Sequence, residues 1–308
     1  MTKDVTMDIG MIGLGKMGAN MAERLVRGGH RVVGFDLSPE SVAGVVERGA
    51  EGADSLEDLA NRLPTPRVFW IMVPSGAPVD STIDALVPLL DEGDIVIDGG
   101  NSNYKDTLRR AEACRTRGHH FVDVGTSGGV WGLAEGYSMM IGGDEDTVEH
   151  LRPIFETLAP APDKGWGRTG ASGAGHYVKM VHNGIEYGLM QAYAEGFALM
   201  EAKDEYGFDL AQIASIWGHG SVVRSWLLEL TEAALGENPT MDGIAPFVPD
   251  SGEGRWTVFE AIDLNVSAPV ISLSLMRRIG SRDDVEYADR LLSAMRNQFG
   301  GHAIKREV

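Results

Sequence analysis

Asp8-Ile9-Gly10-Met11-Ile12-Gly13-Leu14-Gly15-Lys16-Met17-Gly18 decides the fold of this chain. The stretch Asp8 to Ile12 reads as a short buried strand, and Gly13 to Gly18 is a complete G-x-G-x-x-G. A helix fits Met17 to Arg27 and stops at Gly28-Gly29. His30-Arg31-Val32-Val33-Gly34-Phe35 is the next strand, closing with Asp36. Strand, glycine turn, helix, strand and acidic residue in that order make a dinucleotide-binding unit; a glycine turn without a nucleotide would not need the rest. The first two glycines permit a tight turn and close approach of backbone to a pyrophosphate, and the helix N-terminus offers free N–H groups. Gly13, Leu14, Gly15, Met17 and Gly18 are therefore the expected cofactor contacts. Asp36 selects the cofactor, because its carboxylate accepts hydrogen bonds from both adenosine ribose hydroxyls and repels a 2′-phosphate. The following Leu37-Ser38-Pro39-Glu40 brings no arginine to hold that phosphate, so NAD is expected rather than NADP.

More β-α units follow. Strands fit Arg67 to Val73, ending at Pro74-Ser75-Gly76, and Asp94 to Asp98, ending at Gly99-Gly100-Asn101-Ser102. Another fits His120 to Val124, ending at Gly125-Thr126-Ser127-Gly128-Gly129, and a short one fits Ser138 to Gly143. Ligands of an open parallel sheet bind beyond the carboxyl ends of its strands, and all these glycine-rich turns are expected on that edge. Val73, Pro74 and Asn101 are expected against the cofactor. Asn101 and the Ser127-Gly128-Gly129 backbone are placed to meet the nicotinamide and a substrate. Any one of these is an ordinary turn by itself; convergence on one edge carries the reading.

From about Gly175 the pattern turns helical. A long helix begins near His176, and others fit Leu210 to Trp217, Val222 to Leu235, Trp256 to Leu264, Pro269 to Ile279 and Asp283 to Phe299. The expected fold class is α/β. An N-terminal Rossmann-type doubly wound sheet (residues 1–174) precedes an all-α C-terminal domain (residues 175–308) for substrate binding and dimerisation, with a C-terminal tail. With 308 residues and 43% hydrophobic composition, two domains and a sizeable core are available. The net charge of −18 argues against nucleic-acid binding, and an anionic substrate would need a local cluster of positive side chains. Cys114 is the one cysteine, which rules out an intrachain disulfide and disfavours a cysteine-based zinc site. Met1 to Asp8 do not form a signal peptide, and no apolar run approaches the ~20 residues of a membrane span, so a cytoplasmic protein without a membrane partner is expected.

Lys179-Met180-Val181-His182-Asn183-Gly184-Ile185-Glu186-Tyr187 carries the chemistry. At ~100° per residue, Lys179, His182, Asn183, Glu186 and Tyr187 share one helix face, while Met180, Val181, Gly184 and Ile185 suit a packed interior. An amine and a carboxyl two turns apart, ~10 Å along the axis, are too far for an i,i+4 pair but suit a small ligand approached from both ends. A solvated amphipathic face is the alternative. The His, Asn and Tyr of this stripe, and the low charge of the helix through Leu189, Phe197 and Leu199, point instead to an interior helix. A buried Lys and Glu need partners or shifted pKa values, which is how acids and bases of catalysis are made. Among the basic residues, Arg255, in Gly252-Glu253-Gly254-Arg255-Trp256-Thr257, and His302, beside Phe299-Gly300-Gly301, stand out for their glycine settings. Arg277 and Arg278 end a largely apolar helix, and Arg296 precedes the tail.

With these residues in hand, the chain resembles the 6-phosphogluconate dehydrogenases, decarboxylating, over essentially its whole length. The likeness is carried by Gly13 to Asn20, Asp98 to Ser102, Ser127-Gly128-Gly129 and above all Gly173 to Tyr187, with support from Gly254 to Thr257 and Phe299 to His302. The resemblance implies NAD-dependent oxidation of 6-phosphogluconate at C3, loss of CO2, and protonation of an enediol to give ribulose 5-phosphate. It implies Lys179 as general base and Glu186 as the acid. Asn101, Ser127, Gly128, Gly129, His182, Asn183 and Tyr187 would hold the sugar acid, and Arg255, Thr257 and Arg278 the phosphate. Arg296 and His302 match the spacing of an arginine and a histidine that the family takes from a partner's tail, which implies a homodimer or homotetramer with tail exchange. No metal is required, because the ketone is the electron sink. The best-known members carry Asn-Arg-Thr after the second strand and use NADP; Asp36-Leu37-Ser38 departs from them. Arg255 replaces a lysine of the family's phosphate site and keeps its charge. The chain looks like the family's shorter form.

Two other readings stand beside this one. Another β-hydroxyacid dehydrogenase, acting on 3-hydroxyisobutyrate or tartronate semialdehyde, would share the glycine loop, Ser-Gly-Gly and the lysine, but would not need Glu186, Arg255, Arg296 and His302 together. A catalytically silent NAD-sensing scaffold would have no use for both Lys179 and Glu186.

Overall fold

Apolar strand segments with no polar face predict a sheet covered on both sides, and the chain folds accordingly. The protein's structure, a computed structural model, describes residues 5–282, 287–300 and 303–305. It divides into two compact units, Met1–Asn183 and Gly184–Val308. The first unit runs β1 (Asp8–Ile12), α1 (Lys16–Arg27), β2 (Arg31–Phe35), α2 (Pro39–Val46), β3 (Glu51–Gly52), α3 (Leu56–Asn61), β4 (Val68–Ile71) and α4 (Ala77–Leu86). It continues with β5 (Ile95–Asp98), α5 (Tyr104–Arg115), β6 (His120–Ser127), α6 (Gly132–Glu135), β7 (Ser138–Gly142), α7 (Glu145–His150), α8 (Arg152–Leu158) and β8 (Trp166–Gly170). The long α9 (Ala174–Glu201) crosses from the first unit into the second. There it is followed by α10 (Leu210–Gly218), α11 (Trp226–Glu237), α12 (Glu253–Asp263), α13 (Pro269–Gly280) and α14 (Tyr287–Gly300).

The sheet order is β3-β2-β1-β4-β5-β6-β7-β8. Side chains alternate across it: Ile9, Met11, Trp70, Ile95, Ile97 and Val122 fill one core, while Ile12, Val33, Phe69, Ile71 and Val96 fill the other. That period-two split is what places helices on both faces, as expected of a doubly wound sheet. The chain reverses once: β7 runs antiparallel to β6, pairing Asp123 with Gly142 and Ser127 with Ser138. Although β7 runs against the other strands, Gly142 stands level with Asp123, and through it with Asp98, Ile71 and Ile12, the residues that end β5, β4 and β1. β8, paired parallel to β7, was not foreseen because Trp166-Gly167-Arg168-Thr169-Gly170 has neither an apolar run nor a buried face.

The first turns of α9 are seated directly on the sheet. Asp123, fully buried in β6, accepts hydrogen bonds from the backbone N–H groups of Gly173 (2.7 Å) and His176 (2.9 Å). It caps a helix that starts fifty residues later in the chain. The close approach needs glycine on both sides. A Cβ on Gly175 would lie 2.5 Å from the carbonyl oxygen of Met140 and 2.6 Å from that of Asp123, and one on Gly125 would lie 2.4 Å from Cβ of Lys179. This packing explains why the compact units divide inside α9, after Asn183, rather than at residue 174, where the composition changes.

In the second unit, Phe197 of α9 packs with Ala214 of α10 and with Leu228 and Leu235 of α11. Tyr187 packs with Val258 of α12 and Leu275 of α13. Ser225 caps α11 through the N–H of Leu228 (3.1 Å), so the helix starts at Trp226 and not at Val222, which is fully exposed. The expectation that α9 is an interior helix fails for the single chain: Ile185 is 52% exposed and Leu199 75%. Among the described residues, Val178, Ile185, Leu189 and Leu199 of this helix are left exposed.

Gly175→Ala tests the seating of α9. Alanine in a helix interior normally gains about 0.5–1 kcal/mol over glycine. Here the methyl group meets backbone that cannot yield, and a net loss of about 1–3 kcal/mol is expected in denaturant unfolding; an unchanged or raised midpoint would disprove the close approach.

Candidate active site

The candidate residues fall into two groups, one in each unit. In the first, the three glycines of the turn after β1 have separate reasons to be glycine. Gly13 has φ +92°, and a Cβ there would meet the Met72 carbonyl oxygen at 2.6 Å. A Cβ on Gly18 would lie 2.0 Å from the Gly13 carbonyl oxygen, so this residue lets α1 pack on the turn. Gly15 has an ordinary φ of −62°, and among the described residues nothing lies within 4 Å of its missing Cβ. Neither conformation nor packing demands glycine there; room for a ligand does. No side chain caps α1 and no acid sits in its first turn, which leaves the helix N-terminus to an anion. Asp36 reaches back to this loop, accepting from the N–H of Leu14 (2.6 Å) and of Ser38 (2.9 Å). Each carboxylate oxygen keeps a further acceptor position for ribose hydroxyls. Leu14 is buried and Met17 half-buried, while Val73 and Pro74 follow β4 beside the turn. These residues fit the pyrophosphate and adenosine ribose of a dinucleotide.

On the same edge, Asn101 sits in the left-handed region (φ 53°), and its side-chain amide pairs with Thr126 like a strand backbone. Its Nδ2 donates to the Thr126 carbonyl (3.0 Å), and its Oδ1 accepts from the Thr126 N–H (2.8 Å). The loop after β5 is thereby tied to β6. Ser127 ends β6, and Gly128 (φ 131°) and Gly129 (φ 51°) turn the chain where only glycine is at ease. Lys179, 4% exposed, is held against Gly125 of β6. Its Nζ donates to Asn183 Oδ1 (2.8 Å), which also lies 2.9 Å from His182 Nδ1. His182 Nδ1 also lies 3.4 Å from Lys179 Nζ, so the three side chains form one polar cluster with the His182 ring exposed. The structure thus brings together Asn101, Ser127–Gly129, Lys179, His182 and Asn183 as expected residues of one unit.

In the second unit, Glu186 is half-buried on α9. Tyr187 is buried; its hydroxyl accepts from the Ser251 N–H (3.0 Å), and the Arg278 guanidinium lies 3.5 Å from the centre of its ring. Gly254 is required by that ring, since a Cβ there would meet Tyr187 Cε2 at 2.4 Å. Thr257 is buried, with its hydroxyl donating to the Glu253 carbonyl (2.9 Å). Arg255 binds Asp250 through Nε and Nη2 (both 3.1 Å), leaving its Nη1 edge turned away from that carboxylate.

Sequence reasoning missed two members of this group. Asp250 is 4% exposed at its side chain and gathers Arg255 and Arg282, the latter at 2.7 Å. The Arg255 hydrogen bond first, and that of Arg282 after it, hold the Asp250 carboxyl below the ordinary carboxylate range. A depressed carboxyl pKa contributes stability above the unfolded value and loses it as pH falls through the folded one, so this clamp is formed at neutral pH. The spacing Asp250 to Arg255 within a loop–helix junction was the available signal. Arg296 lies exposed on α14, apart from these contacts, and His302 lies outside the described residues.

The differing roles of the glycines are separable by experiment. Gly15→Ala should leave thermal stability unchanged and weaken dinucleotide binding about tenfold or more, whereas Gly13→Ala should lower both; equal effects of the two substitutions on stability would refute the assignment.

With this geometry in place, relatives are informative. A family model described as the NAD binding domain of 6-phosphogluconate dehydrogenase matches residues 8–167, and one described as the 6-phosphogluconate dehydrogenase C-terminal domain matches residues 175–290. A Haloferax volcanii protein named 6-phosphogluconate dehydrogenase, NAD(+)-dependent, decarboxylating, is 47% identical over 302 residues, covering 98% of this chain and 99% of that one. The Bacillus subtilis protein named putative 6-phosphogluconate dehydrogenase YqeC is 42% identical over 301 residues, with 98% and 100% covered. Among solved structures, a Plasmodium falciparum 6-phosphogluconate dehydrogenase, described in apo form and in complexes with NADP+ and 6-phosphogluconate, superposes with a TM-score of 0.83 at 29% identity, covering 97% of this chain and 66% of that one. A Mycobacterium tuberculosis 3-hydroxyisobutyrate dehydrogenase follows with a TM-score of 0.71 at 25% identity, covering 88% and 91%. The two family models span both units and the first two relatives are matched over nearly their full length: the chain belongs to the 6-phosphogluconate dehydrogenase family.

Proposed function

We propose that this protein oxidises and decarboxylates 6-phosphogluconate to ribulose 5-phosphate and CO2 with NAD as hydride acceptor. The observation that carries the reading is Lys179: a lysine buried to 4% exposure, seated against Gly125 of β6, with its amine on Asn183. A nicotinamide dinucleotide on the carboxyl edge of the sheet would supply the acceptor for the C3 hydride. Lys179, as free amine, takes the proton of the C3 hydroxyl while that hydride leaves. The resulting ammonium then donates a hydrogen bond to the C3 ketone. As the bond between the carboxylate carbon and C2 breaks and CO2 departs, that hydrogen bond stabilises the enolate oxygen, an effect of about 10²–10³ in rate for a single oxyanion donor. Glu186, two turns further along α9, gives its proton to the carbon that becomes C1 of the product.

Arg255 and Arg282 on Asp250, with Arg278 on the Tyr187 ring, gather three guanidinium groups in a chain of net charge −18, which suits a phosphate dianion. Asp36 and the absence of arginine in Leu37–Glu40 support NAD over NADP. The cytoplasm is the compartment this reading assumes; among the described residues no helix is long and apolar enough to cross a membrane.

The assay is direct. Purified protein with 6-phosphogluconate should form NADH and CO2, with kcat/KM for NAD about tenfold or more above that for NADP, and Asp36→Ala should narrow the gap. Lys179→Met should lower kcat by about 10³-fold, and Glu186→Gln by about 10²-fold or more. Turnover of 3-hydroxyisobutyrate with none of 6-phosphogluconate would sink the reading.

The same reading takes the working form as a homo-oligomer in which Arg296 and His302 serve a partner's site. Its support is the outward apolar surface of the second unit, where Phe259, Ile262, Leu264, Leu273 and Met276 are all more than half exposed. Light scattering at micromolar concentration should give a dimer or tetramer; a monomer with full activity would overturn this part.

A further inference from the structure

Arg110 projects from α5 into the carboxyl edge of the sheet, and its side chain is 1% exposed. Its Nε donates to Asp80 Oδ1 in the first turn of α4 (2.8 Å), and its Nη2 donates to the Gly76 carbonyl in the loop after β4 (3.1 Å). Its Nη1 donates to Ser102 Oγ in the loop after β5 (2.9 Å) and to Asp98 Oδ2 at the end of β5 (3.2 Å). Ser102 in turn donates to Asp98 Oδ2 (2.7 Å), and Asp98 Oδ1 accepts the Gly100 N–H (3.1 Å). One planar guanidinium therefore joins two neighbouring ligand-edge loops.

The location of those loops gives the link its meaning. Asp36, suited to the adenosine ribose, follows β2, and the glycine turn suited to the pyrophosphate follows β1. The next strands across the sheet are β4 and β5. A dinucleotide laid across this edge brings its nicotinamide half over the loops that follow β4 and β5. Those loops also touch each other, because a Cβ on Gly100 would lie 2.7 Å from the Val73 carbonyl oxygen. Asn101, next in line, is held at φ 53° with its amide on Thr126. A shift of the β4 loop would thus be passed to Asn101.

We propose that Arg110 is a positioning residue for the nicotinamide half of the cofactor, fixing the spacing of the β4 and β5 loops. Neutralising Asp98 alone would need one contact and any cation. Arg110 instead places Nη1 on Ser102 and Nη2 on Gly76, both in loops, and lysine has neither the planar fork nor the number of donors to span them.

The test compares the two halves of the cofactor on the full-length protein. Whichever of NADH and NADPH binds more tightly is titrated by fluorescence, and ADP or its 2′-phosphate is titrated by calorimetry. Arg110→Lys should raise the Kd of the reduced dinucleotide about tenfold, as expected for loss of hydrogen bonds to a charged group, and leave that of the adenosine half within about twofold. Ser102→Ala keeps both buried charges in place and should show the same selectivity at about threefold; it decides the matter should Arg110→Lys not fold. Parallel weakening of both ligands would mark a purely structural arginine, and no change in either would remove the link; both outcomes overturn the proposal. Neither readout depends on which sugar acid is the substrate.

Discussion

The buried carboxylate of Asp123 is the contact on which the arrangement of this protein turns. It stands in a sheet strand, inside an otherwise apolar run, and takes two backbone N–H groups at the start of α9. Burying a carboxylate without partners is prohibitively costly. The unpaired N–H groups at a helix N-terminus are a ready answer, with charged hydrogen bonds of about 1.5–3 kcal/mol each and a favourable dipole. The cost and the benefit are met only when the helix starts at one place against the sheet. That fixes where Lys179, less than two turns later, leaves the helix.

Around that cap the fold spends its small residues. Gly125 and Gly175 remove the two side chains that would hold α9 away from β6. Thr107 of α5 completes the seat: its hydroxyl lies 2.7 Å from His176 Nδ1 and 3.2 Å from the Asn103 carbonyl oxygen. His176 Nε2 is buried without a hydrogen-bond partner among the described residues. The same buried face of α5 carries Arg110 one turn later. One helix thereby holds both the loops after β4 and β5 and the start of the helix that bears Lys179.

Legibility followed the range of the interaction. The first β-α-β unit was readable because glycine turn, helix cap and strand alternation are local, and its elements match the expected spans to within a residue or two. The five-residue stripe from Lys179 to Tyr187 was readable for the same reason: helical periodicity alone puts those side chains on one face. What misled was the assumption that an apolar, low-charge helix lies inside its own chain, since Ile185 and Leu199 face outward. The reversal at β7 escaped notice because Ser138–Gly142 has the same alternation in either direction.

Residue type and spacing in the sequence determined the dinucleotide-binding turn, the acidic residue after β2, the amine and carboxyl two turns apart on one helix, and the family. These depend on neighbours within a turn or a strand, where periodicity and backbone preference suffice. Tertiary structure alone decided that Asp123 caps a helix fifty residues away, that Asn101 spends its amide on Thr126, that Asp250 gathers Arg255 and Arg282, and that Arg110 joins two loops. Each of these is a buried polar group whose desolvation must be offset by a specific distant partner, and the identity of that partner is set by the packing of the sheet and helices around it.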